Sequence, residues 1–455
     1  MKWFLPLFFL IPGLTAAAQQ TPKPRASAQQ TAKPRPAAQQ TAKPRAANLD
    51  ESKVPPYEEP DPLRTKDGQT IASVNAWETI QRPHIYQQFE DLVYGRMPAR
   101  TVPVSYTTES IDSGALDGLA IKKVVTITFA AASSSVATPA HAPAPSTTGT
   151  ITHGASSAPP PAADSSGRLH LVIYLPRQIS GPVPVFVGYS FDPIDSVKES
   201  IQWPLKMILS RGFGLVSAWY WDIEPDKTTG YLTGIRTRLA KALDIRPSEW
   251  SAIGAWAWGL ERIGDYLRTD KAVDPKRLVV FGHSRLGKAA LWAGASDQRF
   301  AMVISNESGE GGAALSKRDY GETIAIITHN FPHWFLPSYK QYAGNAAALP
   351  LDQFMLLDLM APRPLYVASA IDDQWSDPRG EFLSAQLTGP VYNLYKEKGV
   401  GPSLQPPVDH PVGDFVRYHI RTGKHDITPY DWSQYLDFAD QHLPRLMHRK
   451  PATLQ

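Results

Sequence analysis

The run Lys276-Arg277-Leu278-Val279-Val280-Phe281-Gly282-His283-Ser284-Arg285-Leu286-Gly287-Lys288-Ala289-Ala290 constrains the fold more than any other part of the chain. Its first half is a short apolar run of the kind buried on both faces of a parallel sheet, and its second half continues as a helix. Almost nothing separates the two, so the backbone must turn sharply through Gly282, His283 and Ser284. A serine at such a turn stands exposed above the strand, and the first N–H groups of the helix point toward the space beside it. The usual local pattern has glycine two residues after the serine; here Leu286 holds that place and Gly287 follows. A serine that only caps the helix is the plainer alternative.

The neighbouring segments supply the rest of a sheet. GRLHLVIYLP (167–176), PVPVFVGYSF (182–191) and GFGLVSAWYWD (212–222) read as apolar strands, 251–269 as a helix, and FAMVIS (300–305) and PLYVASA (364–370) as further strands. A helix near 431–444 closes the series. Strands alternating with helices predict an α/β fold with a central, mostly parallel sheet, whose ligands collect beyond the carboxyl ends of the strands. Trp256 and Trp258, on the 251–269 helix, are expected in the core.

A serine hydroxyl needs a base to become a nucleophile, and the base needs an acid to orient it. His425, in Thr422-Gly423-Lys424-His425-Asp426 just before the final helix, is the candidate base. Glu307 follows FAMVIS and Asp373 follows PLYVASA, so both stand at strand ends; either acid is placed to orient His425. The strand-end loop Gly188-Tyr189-Ser190-Phe191 is a candidate for an additional oxyanion donor. His329 and His333 are four residues apart but lack a third ligand, so no metal site is expected. Zero Cys excludes disulfides, thiolate catalysis and Cys-ligated metals.

The ends of the chain have a different character. Met1-Lys2, the apolar run Trp3–Leu14 and the small residues Thr15-Ala16-Ala17-Ala18 read as a signal peptide over 1–18, too short and too Pro-interrupted for a stable membrane span. Export to the periplasm, cell surface or medium is expected. Residues 19–48 are three near-copies of a ten-residue unit (QQTPKPRASA, QQTAKPRPAA, QQTAKPRAAN), read as part of a disordered linker over 19–53. The folded domain is expected over 54–447, with a tail at 448–455. An Ala/Ser/Thr/Pro-rich insert at 130–166 lies between two strand-like runs and reads as a long loop. Residues 1–50 carry seven Lys/Arg and one acidic residue, so of 46 basic and 43 acidic residues 39 and 42 remain, a net −3 for the rest. That body is no basic nucleic-acid binder.

Taken together, Ser284-Arg285-Leu286-Gly287-Lys288, Asn306-Glu307-Ser308-Gly309, Phe331-Pro332-His333-Trp334-Phe335, Asp373-Gln374-Trp375-Ser376-Asp377-Pro378-Arg379-Gly380 and Gly423-Lys424-His425-Asp426 resemble the bacterial glucuronoyl esterases of carbohydrate esterase family 15. The resemblance covers about residues 60–445. It implies an α/β-hydrolase three-layer sandwich and cleavage of glucuronoyl or 4-O-methyl-glucuronoyl esters between xylan side chains and lignin alcohols. It implies no cofactor and no metal. By the same resemblance Ser284 is the nucleophile, His425 the base and Glu307 the acid, with Asp373 at a second acid position found in bacterial relatives. Arg285 is similar to an arginine that stabilises the oxyanion, Lys288 and Glu322 to sugar-binding residues, and Trp375 to a tryptophan that contacts the uronate ring; His333 is expected in the pocket wall. His283 stands where some relatives have Cys. The expected partner is glucuronoxylan or a lignin–carbohydrate ester, acted on by a monomer. An acetylxylan esterase, a general carboxylesterase, a serine peptidase and a noncatalytic carbohydrate-binding module are the competing readings.

Overall fold

The computed structural model describes residues 45–130, 166–401 and 404–443. The expected signal peptide, the repeats up to residue 44, the interior of the insert and the C-terminal tail therefore lie outside the described residues.

The described residues form a ten-stranded sheet. Its strands are β1 (Val104–Gly114), β2 (Ala120–Phe129), β3 (Gly167–Pro176), β4 (Val183–Ser190), β5 (Gly214–Trp219), β6 (Val273–His283), β7 (Phe300–Asn306), β8 (Leu365–Ala370), β9 (Val412–Gly413) and β10 (Val416–Arg421). Their spatial order is β1-β2-β3-β5-β4-β6-β7-β8-β10-β9. The six strands from β5 to β10 run parallel, while β1, β2 and β3 on one side and β9 on the other pair antiparallel. This is the mostly parallel α/β sheet the apolar runs predict.

Both faces of the sheet are covered. Along β6, Leu278 and Val280 pack into one core with the helices Ala252–Leu267 and Arg285–Ser296, whereas Val279 and Phe281 pack into a second core with Leu205–Ser210 and Pro429–His442. Alternation along one strand thus feeds two apolar layers, which is why the run reads as continuously hydrophobic. Trp256 and Trp258 are buried as expected. On the other face Trp432 sits edge-on to Phe186 and Phe281, with ring centroids 5.4 and 4.9 Å apart. Burial of a side chain of this size contributes on the order of 2–3 kcal/mol and docks the terminal helix against the sheet. That helix begins with a capping box between Thr428 and Asp431 and has Pro429 in its first turn.

β2 and β3 pair as far as Phe129 and Gly167. This end of β3 lies beside the carboxyl end of β5, where Leu171 pairs with Ala218. Ala130 and Ser166, the anchors of the insert, therefore leave the sheet at the end where the parallel strands finish.

The body starts before Val54. The Asn48 carbonyl accepts from the Gly321 amide at 2.8 Å, Tyr320 donates to the Leu49 carbonyl at 3.2 Å, and Glu51 pairs with Arg318 at 2.6 Å. The Pro-rich composition upstream masks this contact in the sequence, because what holds residues 48–51 is a partner loop some 270 positions away.

Candidate active site

β6 ends at His283, and Ser284 follows with φ 57° and ψ −130°, a strained conformation for a residue with a Cβ. It caps the helix Arg285–Ser296 by position, yet its side chain makes no capping hydrogen bond. The helix-cap alternative is therefore not what this hydroxyl does. The turn is possible because Gly282 has no side chain: a Cβ there would come within 2.1 Å of the Leu286 carbonyl oxygen. Gly287 lies close to Gly282 and Ser308 in turn, so the glycine displaced by one position still serves close packing of the turn. The Ser284 carbonyl accepts from the amides of Gly287 and Lys288 at 2.9 and 3.2 Å. The N–H groups of Arg285 and Leu286 belong to the first turn and lack intrahelical acceptors.

His425 is held over this turn. Its ring lies 4.4 Å from that of His283. Its Nδ1 is 2.7 Å from Asp373 Oδ2, a hydrogen bond, and 3.2 Å from Glu307 Oε2. Both acids flagged from the sequence therefore converge on one nitrogen, with Asp373 the nearer. Glu307 is fully buried, has φ 48°, and is otherwise occupied: Arg421 donates to its Oε1 at 2.6 Å and the Asp426 amide to its Oε2 at 3.2 Å. Burial opposes the imidazolium, but the hydrogen bonds it donates to the two carboxylates, with their charge, outweigh it and raise the His425 pKa to about 9. Burial raises Glu307 to about 7 despite the contacts with His425 and Arg421 that pull it down. Asp373 is also penalised by burial, yet its bond to His425 holds it below the ordinary range. The ligand atoms of Glu307, Asp373 and His425 lie within 4.8 Å of one another, close enough for a cation, but the Arg421 guanidinium already supplies positive charge at Glu307.

A second group gathers beside the helix start. Arg285 Nη1 donates to Asp226 Oδ2 at 2.6 Å, and its guanidinium carbon lies 4.8 Å from the Trp334 ring centroid. Its Nε is buried without a hydrogen-bond partner, a donor left for something that arrives. Lys288 is buried, donates to the Ser308 carbonyl at 2.6 Å and lies 5.6 Å from the Trp334 ring centroid. Glu322 is pushed up by burial and pulled down by Lys288 and by a hydrogen bond from the Trp375 side chain. Trp375 itself is 44% exposed. The structure thus brings Arg285, Lys288, Glu322 and Trp375 to one wall.

His333, read from the sequence as pocket wall, is almost fully buried and spends its Nε2 on Asp226 Oδ1 at 2.8 Å. It supports Asp226 more than it faces the opening. Asp226, which sequence reasoning missed, is the hub: it also accepts from Trp334 Nε1 at 2.6 Å and Tyr220 at 3.1 Å. Burial opposes its ionisation, but the bonds from His333, Trp334 and Arg285 lower its pKa to about 2. Its only sequence signal is its place soon after the strand-like run GFGLVSAWYWD.

Gly188–Phe191 ends β4 beside the elbow, with the Phe191 ring 6.1 Å from His283. A cavity of 260 Å³ opens there, lined among others by Phe191, Trp203, Phe281, His283, Gln202 and Ile427. It lies over β4, on one side of β6, whereas the loops carrying Glu322 and Trp375 follow β7 and β8 on the other.

A family model for fungal glucuronyl esterases matches residues 242–395. A protein named as a carbohydrate esterase from an unknown prokaryotic organism is 36% identical over 430 residues, covering 87% of this chain and 92% of the relative. Among solved structures, a glucuronoyl esterase from Solibacter usitatus is 42% identical, with a TM-score of 0.75 over 86% of this chain and 99% of that one. A CE15 esterase from a marine bacterial metagenome, described as promiscuous, is 34% identical with a TM-score of 0.73, covering 87% of this chain and 100% of its own.

Proposed function

The chain belongs to the glucuronoyl esterases of carbohydrate esterase family 15, and we propose that Ser284, His425 and Asp373 carry out its ester hydrolysis. It is a carboxylic-ester hydrolase with the α/β-hydrolase fold, and its substrates are glucuronoyl esters. The reading rests on one observation: the His425–Asp373 pair stands over the strained Ser284 turn, next to a wall of Arg285, Lys288, Glu322 and Trp375.

In the proposed mechanism His425 takes the proton of Ser284 as the oxygen attacks the C6 carbonyl of the uronate. The first-turn N–H groups and the unpaired Arg285 Nε receive the negative oxygen. His425 returns the proton to the departing alcohol, then activates the water that releases the acid from Ser284. Asp373 orients the imidazole, and Glu307 assists from its buried position. Lys288, Glu322 and Trp375 bind the uronate ring, with His333 holding the wall behind it. The cavity beside His283 gives the departing group room and aromatic walls, which supports a lignin-type alcohol on a glucuronoxylan side chain as the natural ester. Among the described residues no helix is long and apolar enough to cross a membrane. The N-terminal 18 residues support export, and the enzyme is proposed to act as a monomer.

Initial rates on methyl glucuronate, methyl galacturonate and simple acetyl esters, with Ser284→Ala alongside, test the reading. Glucuronate turnover that disappears in the variant is expected. Turnover of acetyl esters alone would move the protein to the acetyl or general carboxylesterases, and activity surviving in the variant would remove Ser284 as nucleophile.

A further inference from the structure

Arg421 ends β10, four residues before His425, and its side chain is almost fully buried. Its Nη1 donates to the Thr422 carbonyl at 3.1 Å, and its Nη2 to the Lys424 carbonyl at 3.0 Å and the Asp426 carbonyl at 2.6 Å. Lys424 and Asp426 are the two residues flanking His425. The same guanidinium reaches Glu307 Oε1 at 2.6 Å and, through Nε, Asp431 Oδ2 at 2.8 Å. Asp431 accepts in turn from the Thr428 amide and hydroxyl, both at 2.7 Å, and contacts His419 Nε2 at 2.9 Å; His419 Nδ1 lies 2.9 Å from the Tyr366 hydroxyl. Arg421, Glu307, Asp431, His419 and Tyr366 are buried, in surroundings where hydrogen bonds to charged groups are strong and their loss is costly, while the loop carbonyls that Arg421 holds belong to residues nearer the surface.

We infer that Arg421 is a positioning residue for the reaction: its planar fork fixes the main chain on both sides of His425 while its charge favours the carboxylate form of Glu307 next to the imidazole. A lysine ammonium does not have the geometry for both tasks, because only the guanidinium spreads five donors over one rigid plane, and here Nε, Nη1 and Nη2 are all engaged. The loop Thr422–Asp426 has no regular structure of its own; Thr422 is tied to Asp409, the Gly423 carbonyl to the Asp372 amide and the Asp426 carboxylate to Gln202, while the residues that flank His425 directly are fixed through their main chain by Arg421 and by the Asp426 amide bond to Glu307. Asp431 carries the same restraint into the first turn of the terminal helix. Glu307 accordingly acts chiefly as the anchor that Arg421 needs, and Asp373 as the carboxylate that orients the ring.

The charge has a consequence for titration. The groups facing His425 are Asp373 from the loop after β8, Glu307 and Glu322 from the loop after β7, His283 from β6 and Asp426 from its own loop. Glu307 is already pushed up by burial. Arg421 pulls it back down, so without that charge Glu307 is pushed up further and is more fully protonated at a given pH, and His425 loses part of the support of one of its two stabilising anions. The pKa of the base then falls.

The inference needs only that His425 is the base, so it is tested on whichever ester the enzyme turns over, and loss of a uronate preference leaves it standing. The measurement is the pH dependence of kcat and kcat/KM for the wild-type enzyme, Arg421→Met and Arg421→Lys. Arg421→Met is expected to lose roughly tenfold or more in kcat with KM changed by less than about threefold, and to show its acid limb at lower pH. Arg421→Lys keeps the charge but not the fork, so it is expected to lose about tenfold in kcat with the acid limb where the wild type has it. The position of the limb does not depend on the fraction of enzyme folded, and if Arg421→Met does not fold, Arg421→Lys alone decides. An acid limb unmoved in Arg421→Met, or wild-type kcat in Arg421→Lys, would overturn the inference.

Discussion

The imidazole of His425 packs 4.4 Å from that of His283, the residue immediately before Ser284. His283 Nδ1 lies 3.0 Å from Asn306 Oδ1, and burial together with the neighbouring His425 charge lowers its pKa to about 3. The lower ring is therefore neutral throughout the working range and competes with His425 for no proton. It packs against the base at a tilt of 41° and limits how far that ring can swing, while Asp373 holds its Nδ1 edge.

The two acids differ in what their removal does. Asp373→Asn is expected to lower kcat by roughly 10²–10⁴, in line with the loss of a carboxylate that orients a catalytic histidine, and to shift the acid limb of kcat/KM to lower pH. Glu307→Gln is expected to cost less in kcat but about 3–5 kcal/mol in stability, since it strips the buried Arg421 of an ion-pair partner. Steady-state kinetics paired with denaturant unfolding separate the two; equal kinetic losses would refute the division of roles.

Asp226→Asn should act through Arg285. With the hub neutral, the guanidinium loses its 2.6 Å partner and the Nε its aim, and kcat should fall by roughly 10²-fold. Rates for the variant, with near-ultraviolet circular dichroism to confirm the packing of Trp334, check this. A variant with wild-type kcat would mean that Arg285 is held by its aromatic neighbours alone.

Glu310 is wholly buried; Ser316 donates to it at 2.8 Å, Tyr339 also contacts it, and burial lifts its pKa to about 8. An acid raised in the folded state favours that state only while protonated. Its contribution is therefore retained at low pH, is lost as pH climbs from the ordinary glutamate value near 4.5 to about 8, and is constant above that. Glu310→Gln, which cannot ionise, should flatten the fall of Tm between pH 5 and 8. Identical slopes for variant and wild type would exclude Glu310 as a source of the dependence.

What the sequence made legible follows from the kind of order each feature has. The central strands are apolar on both faces and stand out as runs, and Ser284, Glu307, Asp373 and His425 sit just beyond strands or before a helix, where position alone marks them. β10 was not singled out, because Val416-Arg417-Tyr418-His419-Ile420-Arg421 alternates polar with apolar residues and resembles a surface segment, although His419 and Arg421 are buried by their mutual partner Asp431. Asp226 stayed hidden for a similar reason. Its partners Arg285, His333 and Trp334 are 59, 107 and 108 residues away, and nothing local distinguishes it from a loop acid. The ranking of Asp373 against Glu307 rests on half an ångström at one nitrogen, which no spacing encodes.

The contact made by residues 48–51 bears on what a cut in this stretch of the chain would do. Glu51 reaches Arg318, which also pairs with Asp377 at 2.8 Å, and Asn48 holds Gly321, next to Glu322. Asp377 caps the helix Pro378–Leu387, two residues beyond Trp375. A protease cutting upstream of Asn48 would free the body with its sugar-facing loops still buttoned down. One cutting at Val54 would take away the contacts of Asn48, Leu49 and Glu51 and leave those loops held only by each other, through Arg318–Asp377 and the Glu322 amide on the Trp375 carbonyl, so the site of the cut, and not merely its occurrence, would set how firmly the wall beside the active site is braced.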